Sequence, residues 1–185
     1  MFKEIIVKIA QKLEVAHISY MIIGGQAVLL YGEPRLTRDI DITLGTGVEK
    51  LHDILDIAHS ISLKPLIENI DAFVNRTMVL PTIDVESGIR VDFIFSYTFY
   101  ESQAIKRAKG ILLENTEVFF ATPEDVIIHK IFAARARDIE DVKSIMLKQK
   151  VNVDYIKKWL LEFDRSFPEG NFTALFKKLL KETRE

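Results

Sequence analysis

The 185-residue chain contains no cysteine, which removes both a disulfide framework and a thiolate zinc site. Histidine is scarce as well. His17, His52, His59 and His129 are scattered along the chain, so a histidine-ligated zinc centre is not expected and any metal should be a hard, oxygen-liganded ion. Long hydrophobic runs are missing: Lys3, Glu4, Lys8, Lys12 and Glu14 interrupt even the apolar amino terminus, and nothing approaches the about 18 apolar residues that cross a bilayer. We therefore expect neither a signal peptide nor an anchor, no membrane partner, and a cytoplasmic location. Neither sign of charge is in surplus. With 25 Lys+Arg against 27 Asp+Glu the formal net charge is −2, too little positive charge for a binder that tracks nucleic acid by counterion release alone.

What is present describes a cored protein. Hydrophobic residues make up 48% of the chain and charged residues 28%, which excludes disorder and fits one domain with a helical appendage. The rhythm changes at Thr122. Residues 1–121 mix short apolar stretches with helical patterns and carry a net charge of −4; residues 122–185 read as helix throughout and carry +2. This divides the chain into a mixed core, 1–121, and a helical extension, 122–185.

Within the first part, Phe2 to Val15 has apolar residues at helical spacing, and Ile18 to Ile23 is a short apolar run stopped by Gly24-Gly25. A short helix is expected over Gln26 to Tyr31, closed by Gly32, then a strand over Asp39 to Leu44 and a helix over Val48 to Ile61. Ala72 to Val85 reads as extended, with Pro81 marking an edge or a bulge. A three-residue loop at Ser87-Gly88-Ile89 would pair Glu86 with Arg90 and Asp84 with Asp92, and would turn Ile83, Val85, Val91, Phe93 and Phe95 to the other face. A helix near Phe99 to Ala108 and two strands, Ile111 to Leu113 and Val118 to Phe120, complete this part. Thr122-Pro123-Glu124-Asp125 is a helix start, with a capping Thr, Pro at the first helical position and acids in the first turn. Three or four helices follow, with Trp159, Leu160, Phe163 and Phe167 as a core stripe.

The chemistry lies between Ile22 and Ile42. Side chains alternate across a strand, so Asp39 and Asp41 project from one face while Ile40 and Ile42 bury on the other. Two such carboxylates repel each other and are costly to desolvate without cations, which makes a divalent-metal site the natural solution. Asp92, on a second strand, is the candidate third carboxylate, and Asp84 is its rival. Three acids on adjacent strands suit two Mg²⁺ ions about 4 Å apart. Gly24-Gly25, ending a strand and opening a helix, exposes backbone amides that favour an anion. Each feature has a plainer counterpart: a tight turn for the glycines, a solvated edge for Asp39 and Asp41, an ion pair with Arg90 or Arg38 for Asp92, a packed or exposed side chain for His129.

On these residues the chain resembles the nucleotidyltransferase superfamily typified by DNA polymerase β, and more narrowly the bacterial minimal nucleotidyltransferases related to abortive-infection toxins. The resemblance covers Ile18 to Asp41, Arg90 to Phe95 and Thr122 to Val142. It implies an α+β fold, a mixed β-sheet flanked by helices with a C-terminal helical segment. It also implies that Gly24 and Gly25 hold a nucleoside triphosphate (NTP) while Asp39, Asp41 and Asp92 are catalytic and bind Mg²⁺. The lead-in Arg35-x-Thr37, and Lys130 with Arg135 and Arg137-Asp138-Ile139-Glu140-Asp141, match the related toxins; this implies a triphosphate contact for Lys130 and an orienting role for Asp138. If one helix ran through both, Lys130, Ala134, Asp138 and Asp141 would share a face, and a structural salt bridge explains them equally well. Gly25 stands where many relatives carry serine, so one hydroxyl contact to phosphate is missing.

The expected activity is Mg²⁺-dependent transfer of a nucleoside monophosphate from an NTP to RNA, a protein or a small molecule, in a housekeeping or toxin–antitoxin setting. Two rivals remain. A silent nucleotide-binding regulator or antitoxin would keep the fold without turnover. Asp39-Ile-Asp41-Ile-Thr43 also fits a haloacid-dehalogenase-like phosphatase signature, although that signature belongs at a strand's carboxyl end.

Overall fold

The computed structural model describes residues 1–183. They form two compact units, one of 1–26 with 37–121, the other of 27–36 with the chain from Thr122 onward. Among the described residues no helix is long and apolar enough to cross a membrane.

The first unit is a seven-stranded mixed sheet with helices. In chain order its elements are α1 (Phe2–Val15), β1 (Tyr20–Ile23), the start of α2 (Gly24–Tyr31), β2 (Asp39–Leu44), a 3₁₀ turn at Val48–Lys50, α3 (Leu51–Ser60) and β3 (Leu63–Pro65). There follow α4 (Ile70–Thr77), β4 (Val79–Asp84), β5 (Arg90–Phe95), α5 (Phe99–Arg107), β6 (Lys109–Leu113) and β7 (Thr116–Phe120). The strand order is β3-β4-β5-β2-β1-β7-β6. β2 runs parallel to β5 and β1 parallel to β7; the remaining pairs are antiparallel. The four residues of β1 are all buried, as are Ile40, Ile42, Val91, Phe93 and Phe95 on the core-facing side of β2 and β5. Buried Ile5, Ile6, Ile9 and Leu13 recur at helical spacing on α1, which packs against β7 and α3.

Three expectations change here. Residues 72–77 are helix: Asn69 caps α4 by accepting the Ala72 amide, Val74 is its buried anchor, and Met78 ends it in the left-handed region at φ 58°. Pro81 is not on an edge, since β4 lies between β3 and β5. Its carbonyl accepts from the Leu66 amide, just beyond the three residues of β3. Its nitrogen faces the same side and has no N–H to return the bond to Leu66, so the β3–β4 ladder stops at this pair.

The hairpin register is the third change. Ile83 faces Arg90, Thr82 faces Val91 and Pro81 faces Asp92, a three-residue shift from the expected pairing, and an odd shift exchanges the faces. The side chain of Asp84 accepts the Ser87 amide and hydroxyl at 2.8 and 2.6 Å, Gly88 turns at φ 71°, and residues 85–89 make the loop. Asp84 therefore sits on the opposite face from Asp92 and is no rival to it.

In the second unit, α6 (Pro123–Ala133) packs against α7 (Ala136–Lys148), α8 (Val153–Ser166) and α9 (Phe172–Glu182). Thr122 caps α6 through the Asp125 amide, with Pro123 in its first turn. The helix does not run on into α7: Ala134 takes φ 50° and ends it. Of the stripe on α8, Trp159 and Leu160 are buried, but Phe167 is 53% exposed and joins Phe132, Phe163 and Phe172 in a partly exposed aromatic cluster, ring centroids 5.1–6.5 Å apart.

The observed register makes a prediction. Asp84→Asn should lower unfolding free energy by about 1–2 kcal/mol in urea titration, from weaker hydrogen bonding to Ser87 at a buried site. If Asp84 lay on the Asp92 face instead, removing one of two like charges would stabilise.

Candidate active site

The site in the first unit follows from the place of β2 between β1 and β5. Register sets Ile23 of β1 against Asp41 and, on the other side, Asp92 of β5 against Asp41 and Arg90 against Asp39. Asp39, Asp41 and Asp92 consequently share one face, all three half-buried, with registered neighbours about 4.8 Å apart.

Because Ile23 pairs with Asp41, the next residue, Gly24, lies directly on that carboxylate. A Cβ at Gly24 would stand 1.9 Å from Asp41 Oδ2, and Gly24 has φ +63°. Both the space and the backbone conformation require glycine. The two glycines lie inside the first turn of α2, whose leading amides have no carbonyl a turn earlier to bond. Gln26 ties that turn to the start of β2 by donating from Nε2 to the Asp39 carbonyl at 3.3 Å.

Acidic side chains dominate this face. The Thr37 hydroxyl donates to Asp39 Oδ1 at 3.1 Å, and Arg90 donates from Nε to Asp92 Oδ1 at 2.9 Å. That hydrogen bond from Arg90 to Asp92 is the main cause raising the guanidinium pKa, with further contributions from the charges of Asp92, Asp39 and Asp41. Arg90 thus feels the charge of all three carboxylates. At an effective dielectric of 20, two carboxylates about 5 Å apart repel by about 3 kcal/mol, an energy that a bound divalent cation would relieve. Among the described residues no three acidic or histidine side chains converge closely enough to hold a metal as they stand; the Asp92 carboxylate is turned onto Arg90. The donor set, all carboxylate oxygen beside a glycine turn, fits Mg²⁺ and not zinc.

The other residues expected to bind nucleotide, Arg35, Lys130 and Asp138, come together in the second unit. Lys130 Nζ lies 2.8 Å from Asp138 Oδ1 and 3.0 Å from Asp141 Oδ2, with Lys130 only 7% exposed. Arg35 grips Asp141 with two hydrogen bonds, Nε to Oδ1 at 2.6 Å and Nη2 to Oδ2 at 2.8 Å. Arg135 donates to Asp138 from its backbone amide and from Nε, closing the first turn of α7. Burial alone would raise the Asp138 pKa, but the hydrogen bonds from Arg135 and Lys130 outweigh it and hold the carboxyl below its usual value. Gln26, Arg90 and Asp141 are the members of these arrangements to which the resemblance gives no role. Arg90 was legible as a partner for Asp92, and Asp141 through its i+3 spacing from Asp138, whereas Gln26 carried no signal.

A family profile described as a nucleotidyltransferase of unknown function (DUF6036) matches residues 2–175. No curated protein matches the sequence. Among solved structures the chain is similar in fold to an antigenic nucleotidyltransferase-like protein from Paracoccidioides brasiliensis, at 16% identity over 94% of this chain and 91% of that one, TM-score 0.60. It is similar also to the antibiotic-resistance factor ANT(2'')-Ia in solution, at 14% identity over 90% of this chain and 93% of that one, TM-score 0.65. The crystal structure of ANT(2'')-Ia with adenylyl-2''-tobramycin gives 16% identity, coverage of 89% and 98%, and TM-score 0.62.

Two outcomes follow from this geometry. Gly24→Ala should destabilise by about 2 kcal/mol or more in denaturant titration, from the left-handed backbone and the displaced Asp41 carboxylate. For Asp138 the folded pKa is depressed, so its stabilising contribution is present above the unfolded value near ~4 and is lost as pH falls through the folded value. Asp138→Asn should therefore flatten the acid limb of a stability-versus-pH curve measured by thermal unfolding; an unchanged limb would remove the ion pairs from the account.

Proposed function

The chain belongs to this DUF6036 family of nucleotidyltransferases, and from that premise we propose that it transfers a nucleoside monophosphate from a Mg²⁺-bound NTP to an acceptor hydroxyl, releasing pyrophosphate. The observation that carries the reading is Asp41, seated against Gly24 on one side and registered with Asp92 on the other. Phosphate recognition and carboxylates are thereby joined in one unit.

In this reading the amides of Gly24 and Gly25 hold the triphosphate, and glycine leaves room for its approach. Asp39, Asp41 and Asp92 would hold the metal, which when bound supplies charge neutralisation at the phosphates and the leaving pyrophosphate. Thr37 keeps the Asp39 carboxylate oriented. The acceptor oxygen bonds to the α-phosphorus, the α–β phosphoanhydride bond breaks with its electrons leaving on pyrophosphate, and Asp92 takes the acceptor proton as Arg90 releases it. The phosphatase alternative fits poorly, because Asp39 opens β2 while a nucleophilic aspartate of that type closes its strand.

A cytoplasmic setting, where nucleoside triphosphates and Mg²⁺ are both abundant, goes with this reading. The acceptor is RNA, a protein or a small molecule, and ANT(2'')-Ia, whose structure contains adenylylated tobramycin, adds aminoglycosides to the acceptors worth testing. Incubating the protein with each α-³²P-NTP, Mg²⁺, and total RNA, protein or aminoglycoside should give labelled acceptor and pyrophosphate. Asp41→Asn should cut transfer roughly 100- to 1,000-fold. Tight nucleotide binding with no label transferred to any acceptor would favour the silent regulator.

A further inference from the structure

We infer that Asp141 is a positioning residue that clamps the segment 33–36, the stretch that leads the chain into β2, and that Arg35 serves the nucleotide site through this clamp and not by touching phosphate. The inference rests on the nucleotidyl-transfer reading for its functional consequence only; the clamp itself is read from contacts within the second unit.

Segment 33–36 is tied to α7 at Glu33, Arg35 and Leu36. The Glu33 amide donates to Ser144 Oγ, and the Glu33 carboxylate pairs with Lys148 at 2.8 Å. Arg35 is held by both oxygens of Asp141, and its Nη1 bonds the Leu36 carbonyl at 3.2 Å. The same carbonyl accepts from Arg137 Nη2. Asp141 is the only buried partner in this set, 3% exposed, and Lys130 lies 3.0 Å from its Oδ2, the oxygen that also accepts from Arg35 Nη2. The fork of Arg35 is therefore occupied: a planar guanidinium bound bidentately has little freedom to turn to another anion. Lys130, with two of its three donors on Asp138 and Asp141, is committed in the same way. Three residues after Leu36 the chain begins β2 at Asp39, so slack in this segment would reach the first carboxylate of the site by chain connectivity alone.

Hydrogen–deuterium exchange of the nucleotide-free protein tests the clamp without assuming any substrate. Asp141→Asn should speed exchange across 33–38 about tenfold, because an amide offers Arg35 one acceptor and turns a donor toward it, while β6 and β7 keep wild-type protection. Arg35→Lys should act in the same direction, and the double variant should show no further increase. Should Asp141→Asn fail to fold, Arg137→Gln and Ser144→Ala remove the two peripheral ties and should each loosen the same peptide more weakly. Unchanged exchange in 33–38 in all the folded variants overturns the clamp.

A second measurement separates positioning from phosphate contact. With N-methylanthraniloyl-labelled ATP and AMP as probes, Arg35→Lys should weaken both by a similar factor of about 5 to 10. Loss confined to the triphosphate would make Arg35 a direct contact and overturn the inference. If the wild-type protein bound neither probe, the nucleotidyl-transfer reading would fall while the exchange result would still decide the clamp.

Discussion

The carboxylate of Asp41 has almost no freedom of place, and much of the first unit answers to that. On one side it fills the space where a side chain on Gly24 would be; on the other it stands in register with Asp92. The arrangement requires β1 and β5 to flank β2, the glycine turn to follow β1 at once, and a residue without Cβ to accept a left-handed conformation there. Remove any one of these and the acidic face and the leading amides of α2 would no longer adjoin.

Two groups of buried or half-buried acids in this chain solve the same electrostatic problem differently. On α7, Asp138 and Asp141 face three cations, Lys130, Arg35 and Arg135, and every oxygen has a hydrogen-bond donor. On β2 and β5, three aspartates share Arg90. The first is charge neutralised within the fold, as stable buried ion pairs must be. The second gathers three carboxylates on one strand face, the arrangement on which the proposed metal site rests. This contrast, more than any single motif, distinguishes the acids tied into ion pairs on α7 from those we propose for chemistry.

The same contrast underlies the positioning role proposed above for the motif residues shared with related toxins. Lys130 and Asp138 are brought together, and Arg35 joins them through Asp141, but the contacts the three make are with one another and with α7. A motif identifies residues that act as a set; the contacts decide whether the set acts on a ligand or on the backbone that presents other ligands.

The sequence by itself determined the elements whose signals are local. Alternation put Asp39 and Asp41 on one face, helical spacing marked α1, and Thr122-Pro123 marked the start of α6, because side-chain period and capping depend on a few neighbouring residues. The glycine pair and the three aspartates were legible for the same reason. What depends on pairing at a distance was decided only by the tertiary structure. The register of β4 on β5 turned on Asp84 closing a five-residue loop, α4 was formed by an Asn69 cap and the burial of Val74, and Pro81 found an interior strand whose neighbour stops short. Asp141 became the partner of Arg35 across 106 residues. No local pattern contains such a contact, since its energy comes from desolvation and geometry that exist only after the chain has folded.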